Sequence, residues 1–296
     1  MIFGRRVPSR LPLRRLVNEA GAVMLGIVLL IWSLTPIYTM LLIALDPDEG
    51  EVEFSGNLWP PAPSLESFRV ALTQDARYLE HFWRQLGNSF YIGLWSMVLT
   101  VLIASLASFA VGRMRLDGRR LLTSASVLTN ASLLTYAIPA SFLIFPFHRI
   151  MHDYGLSNDP WAVIAVQVTL ASPFAILILR QYAKLIPIEL DDAARVDGAS
   201  SLQVYRRVYL PLMTPALAVV ATYALVLAWN DYLYQFILLS SEKHMTLAVM
   251  QAQLFDDADA PWNAMMAAAL IYSLPPVVIF FTLRRVMMAG LTRWWR

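Results

Sequence analysis

Six long apolar stretches alternate with polar segments along the chain, and this alternation limits the possible folds more than any other feature. The stretches run at about 20–45, 87–112, 121–147, 160–180, 213–239 and 263–288. A helix needs about 20 apolar residues to cross the hydrocarbon core of a bilayer, and each stretch meets this length. The sequence therefore predicts an all-α, polytopic membrane protein with six transmembrane helices.

Composition supports a membrane location and excludes several kinds of chemistry. Hydrophobic residues make up 58% of the chain and charged residues 15%, whereas about a quarter of the residues in a soluble protein are charged. Six spans in 296 residues leave no room for a nucleotide-binding domain, so we expect the energy source to lie on another chain. Cysteine is absent, which excludes disulfides, thiolate catalysis and cysteine-ligated metals.

The basic residues predict which side of the membrane each loop occupies, because lysine and arginine are retained in short cytoplasmic loops. With the N-terminus inside, most of the 23 basic residues fall in the cytoplasm. The exceptions are Arg69, Arg77, Arg84, Arg149 and Lys243. We therefore expect a cytoplasmic N-terminal segment at 1–19, an uncleaved first span, a transmembrane domain at 20–288 and a cytoplasmic C-terminal tail at 289–296. The outer loops at 46–86 and 240–262 are mainly acidic and suit an extracytoplasmic partner.

The segment at 186–212, between the fourth and fifth stretches, is too polar to cross a membrane and is patterned as two short helices. Pro187 suits a first helical position. Glu189, Asp191 and Asp192 would then lie in the first turn, where the helix dipole favours negative charge. Gly198 allows a sharp turn after this helix.

The second helix of this segment is predicted to be amphipathic. Ser200 and Gln203 form a capping-box pattern at its start, and Pro211 is expected to end it. One face carries the apolar residues Leu202, Tyr205, Val208 and Tyr209. Nothing obvious in the chain covers that face, so either a partner protein or the membrane surface would cover it.

A motif in this segment resembles the EAA signature of ABC importer permeases. The matching residues are Asp192, Ala193, Ala194, Asp197, Gly198, Ala199, Tyr205, Val208, Leu210 and Pro211. The match covers about 20 residues at the expected place between spans, although Asp192 stands where the family usually has glutamate. The resemblance implies a type I ABC importer permease fold with a cytoplasmic coupling helix that docks in a cleft of the ATPase subunit. Carried over to this chain, the resemblance implies that Ala193 and Ala194 permit close approach to the ATPase subunit. It also implies that Gly198 makes the bend and that Tyr205 anchors the second helix.

Two further motifs resemble the carbohydrate-uptake branch of this family, specifically the second membrane subunit of maltose-type transporters. They are Trp229-Asn230-Asp231 in the fifth stretch and Ala289-Gly290-Leu291-Thr292 near the C-terminus. In that branch the tail reaches the ATPase interface. Here the chain departs after Thr292 with Arg293-Trp294-Trp295-Arg296, which also suits an anchor at the membrane interface.

The candidate pathway residues cluster in the fifth stretch. They are Tyr223, Trp229, Asn230, Asp231 and Tyr232. An ionisable residue within a span indicates a functional site, and Asp231 is the clear case; hydration or pairing with a neighbouring helix is the alternative. The aromatic residues could stack on sugar rings or serve only as packing.

The resemblance implies a non-catalytic permease subunit in a bacterial inner membrane. It implies four kinds of partner: a second related permease, two copies of an ABC ATPase, an extracytoplasmic solute-binding protein and the lipid bilayer. We expect ATP and magnesium on the partner ATPase, no cofactor on this chain and no nucleic acid. His148 and His152 lie one helical turn apart, but no third zinc ligand is evident beyond Asp153. The alternatives are a polytopic membrane enzyme and a self-contained secondary transporter; the first should show more reactive groups at membrane depth and the second an internal repeat.

Overall fold

The structure is a computed structural model that describes residues 13–47, 58–113, 134, 136–255 and 261–293. Every regular element in these ranges is helical. The α-helices are α1 (Leu13–Ala44), α2 (Glu66–Thr73), α3 (Phe82–Arg113), α4 (Ile144–Asp153), α5 (Pro160–Ala183), α6 (Glu189–Val196), α7 (Ser201–Val204), α8 (Leu210–Trp229), α9 (Leu233–Leu238), α10 (Leu247–Phe255) and α11 (Trp262–Arg293). Short 3₁₀ turns lie at Arg77–Leu79 and Ala140–Leu143, and a π-helical turn at Tyr205–Tyr209 joins α7 to α8.

Five helical segments among these described residues are long and apolar enough to cross a membrane. They are Asn18–Ala44, Arg77–Arg113, Pro160–Ala183, Ser201–Asn230 and Trp262–Met288. They coincide with five of the six predicted stretches. Most of the third stretch, at 121–147, lies outside the described residues. In its described part, Ala140–Leu143 forms a 3₁₀ turn, and α4 begins at Ile144 and ends at Asp153. Much of the predicted N-terminal segment and residues 294–296 of the tail also lie outside.

The chain divides into two compact units, of which the smaller comprises residues 1–69 and 261–270. Its main element is α1, whose apolar side chains between Val23 and Tyr38 are largely exposed. Beyond this helix, Ser64 N–H donates a hydrogen bond to the Leu45 carbonyl oxygen at 2.8 Å. An apolar helix with so little cover in its own chain requires lipid or another protein around it.

The larger unit, residues 70–260 and 271–296, is built on the packing of α3, α5 and α8. Small residues bring these helices close together, as is usual in membrane bundles. The buried alanines include Ala104, Ala171, Ala175, Ala216 and Ala224. At Gly93 in α3, an added Cβ would lie 3.2 Å from side-chain atoms of Leu225 and Trp229 in α8. The two helices therefore approach so closely at this point that a larger residue would require Leu225 and Trp229 to shift by a few tenths of an ångström.

Helices α3 and α5 run in the same direction. Near the start of α3, Asn88 Nδ2 donates to the carbonyl oxygens of Lys243 and Met245. Just before α5, Asn158 Oδ1 accepts from the amides of Ser240 and Ser241, so both helices begin beside the same loop. At the opposite end, the last residue of α3 donates a hydrogen bond to the last carbonyl of α5. The chain therefore leaves α3 at one end of the bundle and enters α5 at the other.

The predicted fifth span at 213–239 is wrong as a continuous helix. The helix ends at Trp229, and a separate α9 begins at Leu233. The Asp231 carboxylate accepts a hydrogen bond from Gln235 N at 3.3 Å, and Gln235 Nε2 donates to the Ala228 carbonyl oxygen at 2.9 Å. These side chains satisfy the backbone groups that a helix break exposes, so the break is stable inside the bundle.

Pro211 does not end the second helix of the 186–212 segment, which continues from Ser201 into α8. Proline removes one backbone donor, and its ring clashes with the carbonyl four residues earlier. Immediately before it the helix widens into the π-helical turn, where Leu210 N–H donates to the Tyr205 carbonyl oxygen, five residues back. The wider turn accommodates the proline and lets the helix pass from the 186–212 segment into the membrane span.

Candidate functional site

The first helix of the 186–212 segment, α6, ends in a turn that requires glycine. Gly198 has φ +84°, a left-handed conformation that residues with a Cβ adopt only at a cost. Ala199 N–H donates to the Ala194 carbonyl oxygen at 2.9 Å, and Gly198 N–H donates to the Arg195 carbonyl oxygen at 3.0 Å. This pair of bonds is the Schellman arrangement that closes a helix. The start of α6 differs from the prediction, because Pro187 lies before the helix and Glu189 is its first residue.

The next helix begins with the capping box that the sequence predicts. Ser200 Oγ accepts from Gln203 N at 3.4 Å, and Gln203 Oε1 accepts from Ser200 N at 2.7 Å. The two helices and their turn thus form a defined hairpin of residues 189–204, which we call the α6–α7 hairpin. Its shape is set by local hydrogen bonds at both sides of the turn.

The apolar face of the second helix is covered by the chain itself, contrary to the prediction that it is uncovered. Tyr205 and Tyr209 are buried against the last turns of α3. The Tyr205 hydroxyl lies 2.8 Å from Ser105 Oγ, and the Tyr209 hydroxyl donates to Ser108 Oγ at 3.0 Å. The ring of Phe109 contacts both tyrosine rings, with centroid distances of 5.2 and 5.1 Å, and the two tyrosine rings stack on each other at 5.9 Å. Small serines on α3 leave room for both tyrosine rings, and this long-range fit is not visible in the local pattern.

One residue assigned to that face is placed elsewhere. Leu202 is 56% exposed, whereas Val204, which the pattern did not select, is fully buried. The hairpin exposes further apolar side chains, of which Val196 is the most accessible at 87%. Leu190 is also exposed. The hairpin thus buries one side in its own chain and presents apolar groups on the other.

The residues of the EAA-like motif divide between these two environments. Ala193, Asp197, Gly198 and Pro211 are exposed; Asp192, Ala194, Ala199, Val208 and Leu210 are half-buried; Tyr205 is buried. The structure brings all of them into one continuous segment at the end of the bundle where α3 and α5 terminate. The exposed members lie on α6 and its turn, where a second protein has access to them.

This segment contains a buried ion pair that was not predicted from the sequence. Arg113 served there only to indicate the orientation of the chain in the membrane. Arg113 Nη1 lies 3.2 Å from Asp191 Oδ2, and the two side chains are 4% and 3% exposed. Arg113 Nη2 also donates to the carbonyl oxygens of Ala183 and Ile186, at 2.6 and 2.7 Å. An arginine at the end of a span and several carboxylates in the 186–212 segment are visible in the sequence. The pattern does not say which carboxylate meets the arginine.

The candidate pathway residues contact different partners. Trp229 is buried and stacks on Tyr272, with ring centroids 4.9 Å apart, and the Tyr272 hydroxyl donates to the Trp229 carbonyl oxygen at 2.6 Å. The Tyr223 hydroxyl lies 3.3 Å from that of Tyr136. Tyr232 is partly exposed and stacks on Phe236 at 5.3 Å.

The polar members of this set lie at the break between α8 and α9 rather than inside a helix. Asn230 is exposed, and Asp231 receives the backbone hydrogen bond of Gln235 described above. Asp231 is therefore a helix-end residue, and the expectation of an ionisable group within a continuous span is corrected. A break with a carboxylate beside it is nevertheless the kind of irregular backbone that lines cavities in transporters.

The two histidines considered as metal ligands lie on α4. His152 Nδ1 is 3.5 Å from Asp153 Oδ1, and Arg149 shares the same carboxylate at 3.4 Å. In the part of the chain that the structure describes, no three His, Asp or Glu residues are grouped so that they could hold a metal ion.

The fold is similar to that of a solved membrane transporter. The match is a bacterial ABC transporter involved in the import of the acidic polysaccharide alginate, with a TM-score of 0.73 and 23% identity. It covers 94% of this chain and 99% of that chain. The likeness defines the class: this chain has the type I importer permease fold.

The family follows from the sequence. Residues 17–293 match the family described as "Binding-protein-dependent transport system inner membrane component", and the chain belongs to this family. Its members are non-catalytic permease subunits of ABC transporters, and that is the function of this chain.

Relatives cover nearly the whole chain. It is 31% identical over 263 residues to the inner membrane ABC transporter permease protein YcjP of Escherichia coli (strain K12), covering 89% of this chain and 91% of that protein. It is 28% identical over 268 residues to the diacetylchitobiose uptake system permease protein DasC of Streptomyces coelicolor, covering 90% and 93%. It is 29% identical over 263 residues to the trehalose transport system permease protein SugB of Mycobacterium tuberculosis, covering 88% and 91%.

Proposed function

We propose that this permease subunit carries a sugar or small oligosaccharide inward across a bacterial inner membrane. The observation that carries the proposal is the near full-length similarity to permeases named for the uptake of diacetylchitobiose and trehalose. Relatives named for maltodextrin and lactose transport match over 82% and 71% of the chain. The Trp229-Asn230-Asp231 motif, at the break between α8 and α9, agrees with this assignment. Beside the break, Trp229 is buried, whereas the exposed ring of Tyr232 supplies a face on which a sugar ring can stack.

We further propose that the α6–α7 hairpin is the coupling segment that docks on an ATPase subunit. Three features support this role: its place between two spanning helices, its defined turn at Gly198 and its exposed apolar side chains at Leu190, Val196 and Leu202. An amphipathic hairpin held on one side by its own bundle offers the other side to a partner. ATP and magnesium would bind to that partner, and this chain would bind no cofactor.

The proposed topology has six spans with both termini in the cytoplasm. Because α3 and α5 run in the same direction, the intervening residues 114–159 must cross the membrane once, and their number exceeds the 20 or so that a span needs. This supports the sixth span. The basic residues Arg113, Arg180, Lys184 and Arg195 lie at the end of the bundle that carries the hairpin, which supports a cytoplasmic position for that end.

The proposed assembly contains a second related permease, two copies of the ATPase and an extracytoplasmic solute-binding protein. The family description names binding-protein-dependent transport, which supports the last of these partners. The exposed apolar surface of α1 supports a lipid or permease neighbour around that helix. This chain would then form half of the translocation pathway.

Single-cysteine cross-linking tests the coupling role, since the chain contains no cysteine of its own. We expect Val196→Cys to form a cross-link with the co-expressed ATPase subunit. Tyr154→Cys is the matched control, because it is similarly exposed, at 78%, but follows α4 outside the hairpin. An ATPase cross-link from Tyr154→Cys alone, or from neither position in an assembled complex, would contradict the proposed docking.

Transport in proteoliposomes tests the sugar assignment. The complex, supplied with its binding protein, is offered labelled trehalose, lactose, diacetylchitobiose and maltodextrin in the presence of ATP. We expect ATP-dependent accumulation of at least one of them. ATP-driven accumulation of a non-sugar solute only would refute the carbohydrate assignment while leaving the permease function intact.

A further inference from the structure

Arg113 joins three segments of the chain at a single guanidinium group. It is the last residue of α3, and its side chain reaches the carbonyl oxygens of Ala183 and Ile186 at the end of α5. It also meets Asp191 in the first turn of α6, and Pro187 O lies 3.4 Å from Nη1. Guanidinium presents several donors in a rigid plane, so it can hold several acceptors in a fixed arrangement.

The charges of this pair match the ends of the helices they join. A cation at the C-terminus of α5 and an anion at the N-terminus of α6 each face the favourable end of a helix dipole. Both side chains are almost completely buried. A buried ion pair adds little net stability compared with apolar replacements, whereas its direction-dependent contacts define a geometry.

The end of α3 also holds the π-helical turn that directly follows the hairpin. Ser105 and Ser108 of α3 contact the Tyr205 and Tyr209 hydroxyls, one to two turns before Arg113. The last turns of α3 therefore contact the segment on both sides of the Gly198 turn. A displacement of the hairpin cannot occur without either moving α3 or breaking these contacts.

We propose that Arg113 and Asp191 form a positioning clasp that makes the α6–α7 hairpin and the ends of α3 and α5 move as one body. The clasp rests on the proposed function of the hairpin as the ATPase dock. Movement imposed by the ATPase on α6 then reaches two spanning helices at once. Without the clasp, α6 would shift on its own, and ATP would be hydrolysed with less solute transported.

The test measures solute transported per ATP hydrolysed in reconstituted complexes. The variant Arg113→Met with Asp191→Leu removes both charges together and avoids leaving one of them buried alone. We expect it to assemble with the ATPase and to lose at least about fivefold in this ratio, the low end of usual coupling energies. The control is the exposed pair Arg149 and Asp153, changed to Met and Leu, which should leave the ratio unchanged.

The distance between two spin labels, one on the hairpin and one on α3, tests the clasp independently of the solute. Labels on Val196→Cys and Leu102→Cys, both exposed positions, report the separation of α6 from α3. In the parent complex we expect the same narrow distance distribution with and without ATP and vanadate. In the double variant we expect this distribution to broaden and shift.

Each outcome decides one proposal. An unchanged transport ratio and an unchanged distance distribution in the double variant would overturn the clasp. If the double variant does not assemble, it is replaced by Arg113→Lys, which keeps the charge but has a single donor group. Failure of both variants to assemble would show a purely structural role for Arg113 and would also overturn the clasp. A wild-type chain that never binds an ATPase, by contrast, would refute the proposed function itself.

Discussion

The turn at Gly198 provides a prediction whose size can be worked out from the structure. A residue with a Cβ in the left-handed region costs about 1–2 kcal/mol relative to glycine. At Gly198 no atom lies within 4 Å of the position that a Cβ would occupy, so steric contact adds nothing to this cost. The expected penalty of Gly198→Ala is therefore about 1–2 kcal/mol, which is a factor of about 5–30 in the equilibrium constant between the correctly formed and the unformed turn.

The substitutions should form a graded series. Asparagine tolerates the left-handed conformation better than alanine, and a β-branched residue tolerates it least. We expect the affinity of the purified permease for its ATPase subunit to fall in the order Gly, Asn, Ala, Val at position 198. The fall at alanine should reach at most about 5–30-fold, because the apparent affinity follows the fraction of molecules in which the correctly formed turn presents α6 to the partner.

Gly155 supplies a matched control for this series. It also has a positive φ, +73°, with no atom within 4 Å of a Cβ, but it lies after α4 and outside the hairpin. Gly155→Ala should carry a similar conformational cost and leave the ATPase affinity unchanged. The reasoning would be refuted if Gly198→Val bound the ATPase as tightly as the parent chain, or if Gly198→Asn were as weak as Gly198→Val.

Two further predictions concern packing in the bundle, and both are measured as the free energy of unfolding in detergent. Gly93→Ala should be less stable than Gly112→Ala by about 1–3 kcal/mol, because its Cβ would lie 3.2 Å from Leu225 and Trp229, which would have to shift. Gly112→Ala, in open space on the same helix, should stabilise by about 0.5–1 kcal/mol. Equal effects at both glycines would contradict the close approach of α3 and α8. Tyr209→Phe should cost about 1 kcal/mol, because it removes the hydrogen bond to the buried Ser108 hydroxyl; an unchanged stability would show that this bond is not formed.

The elements that could be predicted from the sequence are those that depend on neighbouring residues. The length of an apolar stretch determines whether a helix can cross a bilayer, and five of the six stretches coincide with such helices in the described residues. The Ser200–Gln203 capping box and the left-handed Gly198 turn were also predicted correctly. Each involves hydrogen bonds between residues no more than five positions apart.

Two errors arose where a local rule had more than one structural solution. Pro211 was expected to end a helix, but a π-helical turn accommodates it and the helix continues. The apolar run at 213–239 was expected to form one helix, but Asp231 and Gln235 stabilise a break within it. Hydropathy averages over about 20 residues and so does not detect a break made by two polar side chains.

The sequence by itself determined the class of protein, the location of five spanning helices and the shape of the hairpin turn, because the motif, the apolar length and the short-range hydrogen bonds all depend on residues close together in the chain. Only the tertiary structure decided how the 186–212 segment is attached to the membrane domain. Tyr205 meets Ser105 across 100 positions, and Asp191 meets Arg113 across 78 positions. Such pairings depend on which helix ends meet in the folded bundle, and several carboxylates and aromatic residues of this segment would have satisfied the same sequence pattern.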